Sequence, residues 1–212
     1  LRSVEGSDMQ VIAFYTDSDS DAPFVRHADV AVALDAPDGG VAAYLDHEQI
    51  LEALRAHGAD AVWPGWGFVA EDPEFVSRLK DEGIRFLGPT AEQMDAFGLK
   101  HSARALAERA DVPLLPGTAL LDSLDQALAE AQAIGYPVML KATGGGGGIG
   151  MQVCRSADDL RPAYTRVVTQ AERSFGSAGV FVERYVDNAR HVEVQIFGDG
   201  TGRVLSLGDR DC

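Results

Sequence analysis

Five consecutive glycines, Gly144 to Gly148, with Gly150 close behind, stand between two short apolar runs and constrain this chain more than any other feature. Ahead of them Tyr136-Pro-Val-Met-Leu140 leads into Lys141, and behind them comes Gln152-Val-Cys154. Short apolar runs bounded by turn residues predict strands, so the segment is expected to be a strand-loop-strand hairpin. Glycine tolerates positive φ, and without side chains the backbone N–H groups can close on a polyanion. Lys141 adds a cation at the base of the loop. The pattern therefore reads as a flap folding over the phosphates of a nucleoside triphosphate. A Walker loop would end in Gly-Lys-Ser/Thr, and a dinucleotide fingerprint would open a helix directly after its glycines. Neither follows here. A plain flexible linker would have polar, low-complexity flanks, whereas these flanks are apolar and basic.

The rest of the composition narrows the partners. With 212 residues, 46% hydrophobic and 24% charged, the chain is ordinarily globular and long enough for one or two domains. A net charge of −15 argues against nucleic acid, which needs a basic surface, but not against one nucleotide held by local amides and lysines. Cys154 and Cys212 form neither a disulfide framework nor a zinc pattern, which suits a reducing compartment, and the cytoplasm is expected. No signal peptide and no apolar run of spanning length is seen, so no membrane partner is expected. Leu1 in place of an initiator Met, and a strand-like Arg203-Val-Leu-Ser-Leu207 with no closing helix, read as a chain cut from something longer.

Alternating strand and helix signals predict an α/β fold with an open parallel sheet over the first ninety residues. Strands are expected over 10–15, 30–34, 61–63 and 85–87, and helices over 47–57 and 73–83. A helical hairpin follows over 91–97 and 100–110. A second α/β unit has helices over 123–134 and 157–173 and a closing strand over 180–184. Trp63 and Trp66 are expected to pack around a tight turn, and Cys212 to be structural.

In fixed order, several long segments resemble the biotin carboxylase family of ATP-grasp enzymes. They are Thr16-Asp-Ser-Asp-Ser-Asp-Ala-Pro23 with His27-Ala-Asp29, Trp63-Pro-Gly-Trp-Gly-Phe-Val-Ala-Glu-Asp72, Phe86-Leu-Gly-Pro89, the glycine flap, Glu183-Arg-Tyr-Val-Asp-Asn-Ala-Arg-His-Val-Glu-Val-Gln195, and Gly208-Asp-Arg-Asp-Cys212. The resemblance implies a truncated Rossmann-like N-terminal (pre-ATP-grasp) domain, then the ATP-grasp lid and the start of the ATP-grasp C-terminal subdomain. The implied boundaries are 1–90 for the N-terminal domain without its first strand, 91–114 for the helical linker, 115–185 for the lid and 186–212 for the last piece.

The same resemblance implies roles for single residues. Lys100 and Lys141 look like the family's two phosphate-holding lysines, although a lone lysine is more often a surface residue. Gly145, Gly146, Gly147 and Gly148 with Met151 would lie over the nucleotide. Glu183, Arg184 and Val186 would run along the adenine, with Glu183 accepting from its amino group; the plain alternative for Glu183 is an exposed strand-end carboxylate. His191 resembles the nucleotide-contacting histidine, and alternation along Arg190-His-Val-Glu-Val-Gln195 puts Glu193 and Gln195 on its face, a side expected to line the cleft. Glu71 reads equally as an active-site contact past a strand end or as a helix N-terminal carboxylate before Pro73.

The implied activity is ATP- and bicarbonate-dependent carboxylation of biotin, with magnesium as metal and a biotinylated carrier domain, a carboxyltransferase and an oligomeric state in the intact enzyme. The family's metal carboxylates are expected beyond Cys212, so no metal site and no appreciable turnover are expected of these residues alone. Phe97-Gly-Leu-Lys-His-Ser-Ala-Arg104 and Ile149 lean toward the urea carboxylase branch, while 63–67 is also similar to acetyl-CoA enzymes. Another ATP-grasp ligase of the carbamoyl-phosphate synthetase kind, or a non-catalytic nucleotide-binding fragment, are the alternatives.

Overall fold

The computed structural model describes residues 6–37, 40–144, 150–175 and 179–211, with side chains undescribed at 174 and 175. Two compact units divide the chain, Leu1–Ala103 and Arg104–Cys212.

In the first unit, strand β1 (Ile12–Tyr15) pairs in parallel with β2 (Val30–Ala33) across the short helix α1 (Pro23–Arg26). Two longer helices follow, each started by a carboxylate. Asp46 accepts from the Gln49 amide at 3.1 Å and opens α2 (His47–Ala56), and Asp72 accepts from Phe75 at 3.0 Å and opens α3 (Pro73–Asp81). Each then buries one stripe: Ile50, Leu51 and Leu54 from α2, and Phe75, Val76 and Leu79 from α3. Between and after these helices, β3 (Ala61–Val62) pairs in parallel with β4 (Arg85–Phe86). Helix α4 (Ala91–Gly98) starts on a capping box between Thr90 and Gln93. The expected single parallel sheet is present as two separate parallel pairs among the described residues. With only two residues each, β3 and β4 offer few ladder positions beyond their own pairing.

The loop after β1 is shaped by buried polar groups. Thr16 is fully buried, and its amide donates to the Tyr44 hydroxyl at 3.1 Å, which in turn donates to Asp19 at 2.7 Å. Burial first, and then the hydrogen bond to Asp19, push the Tyr44 phenol up from its ordinary value. Gly40, at φ +112°, passes this loop so closely that a Cβ there would stand 2.9 Å from Thr16 Oγ1.

The boundary between the units falls within α5 (Lys100–Arg109). In the second unit α6 (Leu124–Ile134) is capped by Ser123, which accepts from Gln126 at 3.2 Å, and ends at Gly135 with φ +87°. Ser123→Ala should cost about 1 kcal/mol, read as a lower urea midpoint for this unit with an unchanged slope. The chain continues through β5 (Val138–Ala142), β6 (Met151–Cys154), α7 (Ala157–Phe175) and β7 (Val180–Arg184). The strands form an antiparallel sheet of order β6-β5-β7, so the hairpin expected around the glycine loop is present. Strand alternation sorts its two faces. Val138, Leu140 and Ala142 of β5 and Val180 and Val182 of β7 are buried in one core with Ala127 and Ala131 of α6 and Leu160, Ala163, Val167 and Ala171 of α7. Met139, Lys141, Phe181 and Glu183 occupy the opposite face.

A last antiparallel pair, β8 (Val192–Gly198) with β9 (Val204–Asp211), has a bulge between Val194 and Ile196. Apart from Glu193, every residue of both strands is exposed, including Val194, Ile196, Phe197, Leu205 and Leu207. That much accessible apolar surface should promote self-association, checked by sedimentation of the 212-residue chain over a concentration series.

Candidate nucleotide site

Lys141 and Glu183 meet through the register of β5 and β7. Lys141 lies opposite Phe181 and Met139 opposite Glu183, so the two charged residues are diagonal neighbours on one face. Side chains of this length span such a diagonal, and Lys141 Nζ donates to Glu183 Oε1. The other carboxylate oxygen, Oε2, accepts from Arg104 Nη1 at 3.1 Å. Arg104 also donates through Nη2 to the Leu115 carbonyl at 2.9 Å, which ties α5 to the segment entering this sheet. That segment runs beside β7: Arg184 N–H donates to Pro116 O at 2.8 Å, Thr118 N–H to Val182 O at 2.9 Å, and Gly117 bridges to Glu183. The side chains of Arg104 and Glu183 are each 14% exposed and that of Lys141 21% exposed. Little water screens the triad, so the charges interact more strongly than they would on an open surface. Chemically, it is a half-buried carboxylate between two cations, one of which stands on the strand that leads into the glycine loop.

The other expected residues are distributed around this centre or away from it. Met151 begins β6 directly opposite Lys141. The Arg184 side chain turns back to the end of α6, donating to Ile134 O at 2.8 Å. Val186 is exposed just beyond β7. His191, Glu193 and Gln195 do share a face of the β8-β9 hairpin. His191 Nε2 lies 3.4 Å from Glu193, and Arg210 binds Glu193 and donates to Gln195 at 3.3 Å. Lys100 is the first residue of α5 and belongs to the first unit. Gly145, Gly146, Gly147 and Gly148 lie outside the described residues, as do Ile149 and Cys212.

The turn after β3 departs from the sequence expectation at Trp63, Trp66 and Glu71. Trp63 is 73% and Trp66 92% exposed, so neither packs around the turn. Gly65 and Gly67, at φ +71° and +78°, reverse the chain in the open beyond the two-residue strand. Glu71 is exposed at the end of a single 3-10 turn, while its neighbour Asp72 caps α3 and also bonds His47 Nε2 at 2.9 Å. The N-terminal carboxylate of that helix is therefore Asp72 and not Glu71. The sequence gives no sign of the role of Arg104 beyond its place in a motif, because a single arginine on a helix carries no signal of what it faces.

Cys154, fully buried, is a structural thiol. Burial, with the nearby Asp159 charge second, pushes it from 9.0 up to about 11. The folded state keeps this proton longer than the unfolded chain, so its contribution to stability is present below pH 9.0 and is lost as pH rises toward about 11. At pH 8 the thiol should resist iodoacetamide in the native protein and react once urea unfolds it, as read by mass spectrometry of the Cys154 peptide. Rapid native labelling would contradict this placement. Among the described residues no three His, Cys, Asp or Glu side chains converge to hold a metal. Nor is any described helix long and apolar enough to cross a membrane.

Residues 1–94 match the family described as the biotin carboxylase N-terminal domain, and residues 100–212 match the carbamoyl-phosphate synthase L chain ATP-binding domain. Over its whole length the chain is 43% identical to the urea amidolyase of Saccharomyces cerevisiae, covering 12% of that protein. It also superposes over its whole length on a biotin carboxylase complex from Campylobacter jejuni with β,γ-ATP, at 37% identity, a TM-score of 0.94 and 47% of that chain covered. The biotin carboxylase domain dimer of Hydrogenobacter thermophilus 2-oxoglutarate carboxylase, in complex with MgADP, ADP and bicarbonate, matches at 35% identity and a TM-score of 0.92, with 46% of that chain covered. The chain thus spans less than half the length of each of these relatives. An N-terminal domain and an ATP-binding domain matched in succession, on a backbone superposing this closely, mean that the chain belongs to the biotin carboxylase family.

Proposed function

We propose that this chain is the ATP-binding part of a biotin carboxylase module, in which ATP and bicarbonate serve to carboxylate biotin. The observation that carries the reading is the diagonal Lys141–Glu183 pair on the sheet face opposite α6 and α7. A triphosphate arriving there draws the Lys141 ammonium toward its oxygens, and the freed carboxylate oxygen accepts an N–H from the adenine amino group. Backbone groups of Arg184 and Val186 follow the base edge. Met151 and His191 add to the nucleotide contacts, while Glu193 and Gln195 face the reacting end; roles for Lys100, Glu71 and the glycines at 145–148 rest on the family resemblance alone. In this reading 1–90 is the N-terminal domain, 91–114 a linker, 115–185 a lid and 186–212 the start of the last subdomain.

In the reaction of the whole enzyme, a bicarbonate oxygen bonds to the γ-phosphorus as the bond to the bridging oxygen of ADP breaks. The carboxyphosphate formed then gives its carboxyl group to biotin N1 and releases phosphate. Magnesium, which the family resemblance implies, has no acid cluster to hold it among the described residues. The biotinylated carrier domain, a carboxyltransferase, an oligomeric assembly and a cytoplasmic setting belong to the same proposal. The dimer with MgADP and bicarbonate described for the Hydrogenobacter relative supports it. Identities of 43% to urea amidolyases against 35% to 39% to biotin and pyruvate carboxylases favour the urea branch. A carbamoyl-phosphate-synthetase-like ligase would share residues 100–212, but residues 1–94 match the biotin carboxylase domain.

Titration calorimetry with ATP tests the reading. Saturable binding that weakens in both Lys141→Ala and Glu183→Gln is expected. Absence of ATP binding by the folded wild-type chain would refute it.

A further inference from the structure

The Glu183 carboxylate is held asymmetrically, and the asymmetry has a use. Lys141 reaches Oε1 on a flexible four-carbon stem from the strand that leads into the glycine loop. Arg104 reaches Oε2 with a planar guanidinium whose second nitrogen is anchored on the Leu115 carbonyl. One cation is free to leave and the other is fixed. Gly117 makes room for the fixed one. A Cβ at that position would stand 2.7 Å from Arg104 Nη2, 2.9 Å from its Cζ and 3.1 Å from Glu183 Cβ, so the guanidinium lies across a backbone with no side chain.

Resting on the nucleotide reading of the site, we propose that Arg104 is a positioning residue that makes the site select adenine over guanine. When phosphates draw Lys141 away, Oε1 loses its partner. A carboxylate held by nothing else would rotate, or would follow the lysine. Anchored at Oε2 by Arg104, it keeps Oε1 aimed outward as an acceptor. An adenine amino group donates to that oxygen, whereas guanine presents a carbonyl at the same ring position and the two acceptors repel. Discrimination of this kind depends on the carboxylate being unable to turn aside.

Binding of ATP and GTP to the 212-residue chain tests this, with wild type, Arg104→Met, Arg104→Lys and Gly117→Ala compared by calorimetry and each variant's thermal midpoint recorded. Arg104→Met should weaken ATP by roughly tenfold, the scale of one charged hydrogen bond, and GTP by much less, so that the ATP-to-GTP preference falls. Gly117→Ala, which keeps the charge but displaces the guanidinium, should lower the same ratio, and Arg104→Lys should restore part of it. A merely structural arginine would weaken both nucleotides together, and an unchanged ratio in Arg104→Met and Gly117→Ala overturns the inference. Wild type that binds ATP and GTP equally overturns it as well. Wild type that binds neither refutes the nucleotide reading itself and the inference with it. Should Arg104→Met not fold, the ratio in Gly117→Ala decides.

Discussion

Lys141→Ala is expected to weaken ATP binding by about 1.5–3 kcal/mol, the range for a charge-assisted hydrogen bond to phosphate. The structure shows why the fold should survive the loss. Lys141 is a diagonal cross-strand partner on the face turned away from α6 and α7, while the core face of β5 is formed by Val138, Leu140 and Ala142. Removing one partner from a buried ion pair is ordinarily costly because it strands the other charge. Here Glu183 keeps Arg104 on its second oxygen, so the change in stability should stay within roughly 1 kcal/mol. Calorimetric titration with ATP and urea unfolding of the same samples separate the two effects. Unchanged ATP affinity with a large fall in stability would make Lys141 a structural residue.

Phe75→Ala should destabilise the first unit by about 3–5 kcal/mol, the cost of emptying a fully packed aromatic site. The ring is 0% exposed, belongs to a cluster with Leu34, Leu51, Leu54, Leu79 and Ile84, and lies 5.2 Å from the His47 ring. That histidine also bonds Asp72, the cap of the same helix, so the cavity would open beneath the helix start. The core of the second unit is a separate cluster of Val138, Leu140, Leu160, Val180 and their neighbours. Hydrogen exchange should therefore lose protection across 47–84 and retain it across 124–184. Equal losses in both units would show that the two cores unfold as one.

Local pattern explains what was legible from residues alone. Apolar stripes at 50, 51 and 54 and at 75, 76 and 79 predict the two helices of the first unit, and both form with carboxylate caps one residue ahead of them. Apolar runs on either side of the glycines predict the β5-β6 hairpin, and alternation along 190–195 predicts the shared face of His191, Glu193 and Gln195. These features depend on neighbours a few residues apart, where period and capping chemistry act directly. Strand ends shifted by a residue or two because ladders stop where a partner strand stops, which a single segment does not encode.

The triad at the centre of the site is of another kind. Glu183 is 42 residues from Lys141 and 79 from Arg104, and nothing in the intervening sequence links their charges. Their meeting depends on the antiparallel register of β5 against β7 and on a glycine at 117 that lets a guanidinium cross the backbone. The exposure of Trp63 and Trp66 is decided in the same way. Indoles beside a tight turn usually find a packing partner, but these project beyond a strand that stops at Val62. Spacing along the chain is enough to place most helices and strands and to show which side chains share a face. Which carboxylate oxygen each cation holds is settled by packing, since it depends on how distant segments meet and which backbone atoms they leave uncovered.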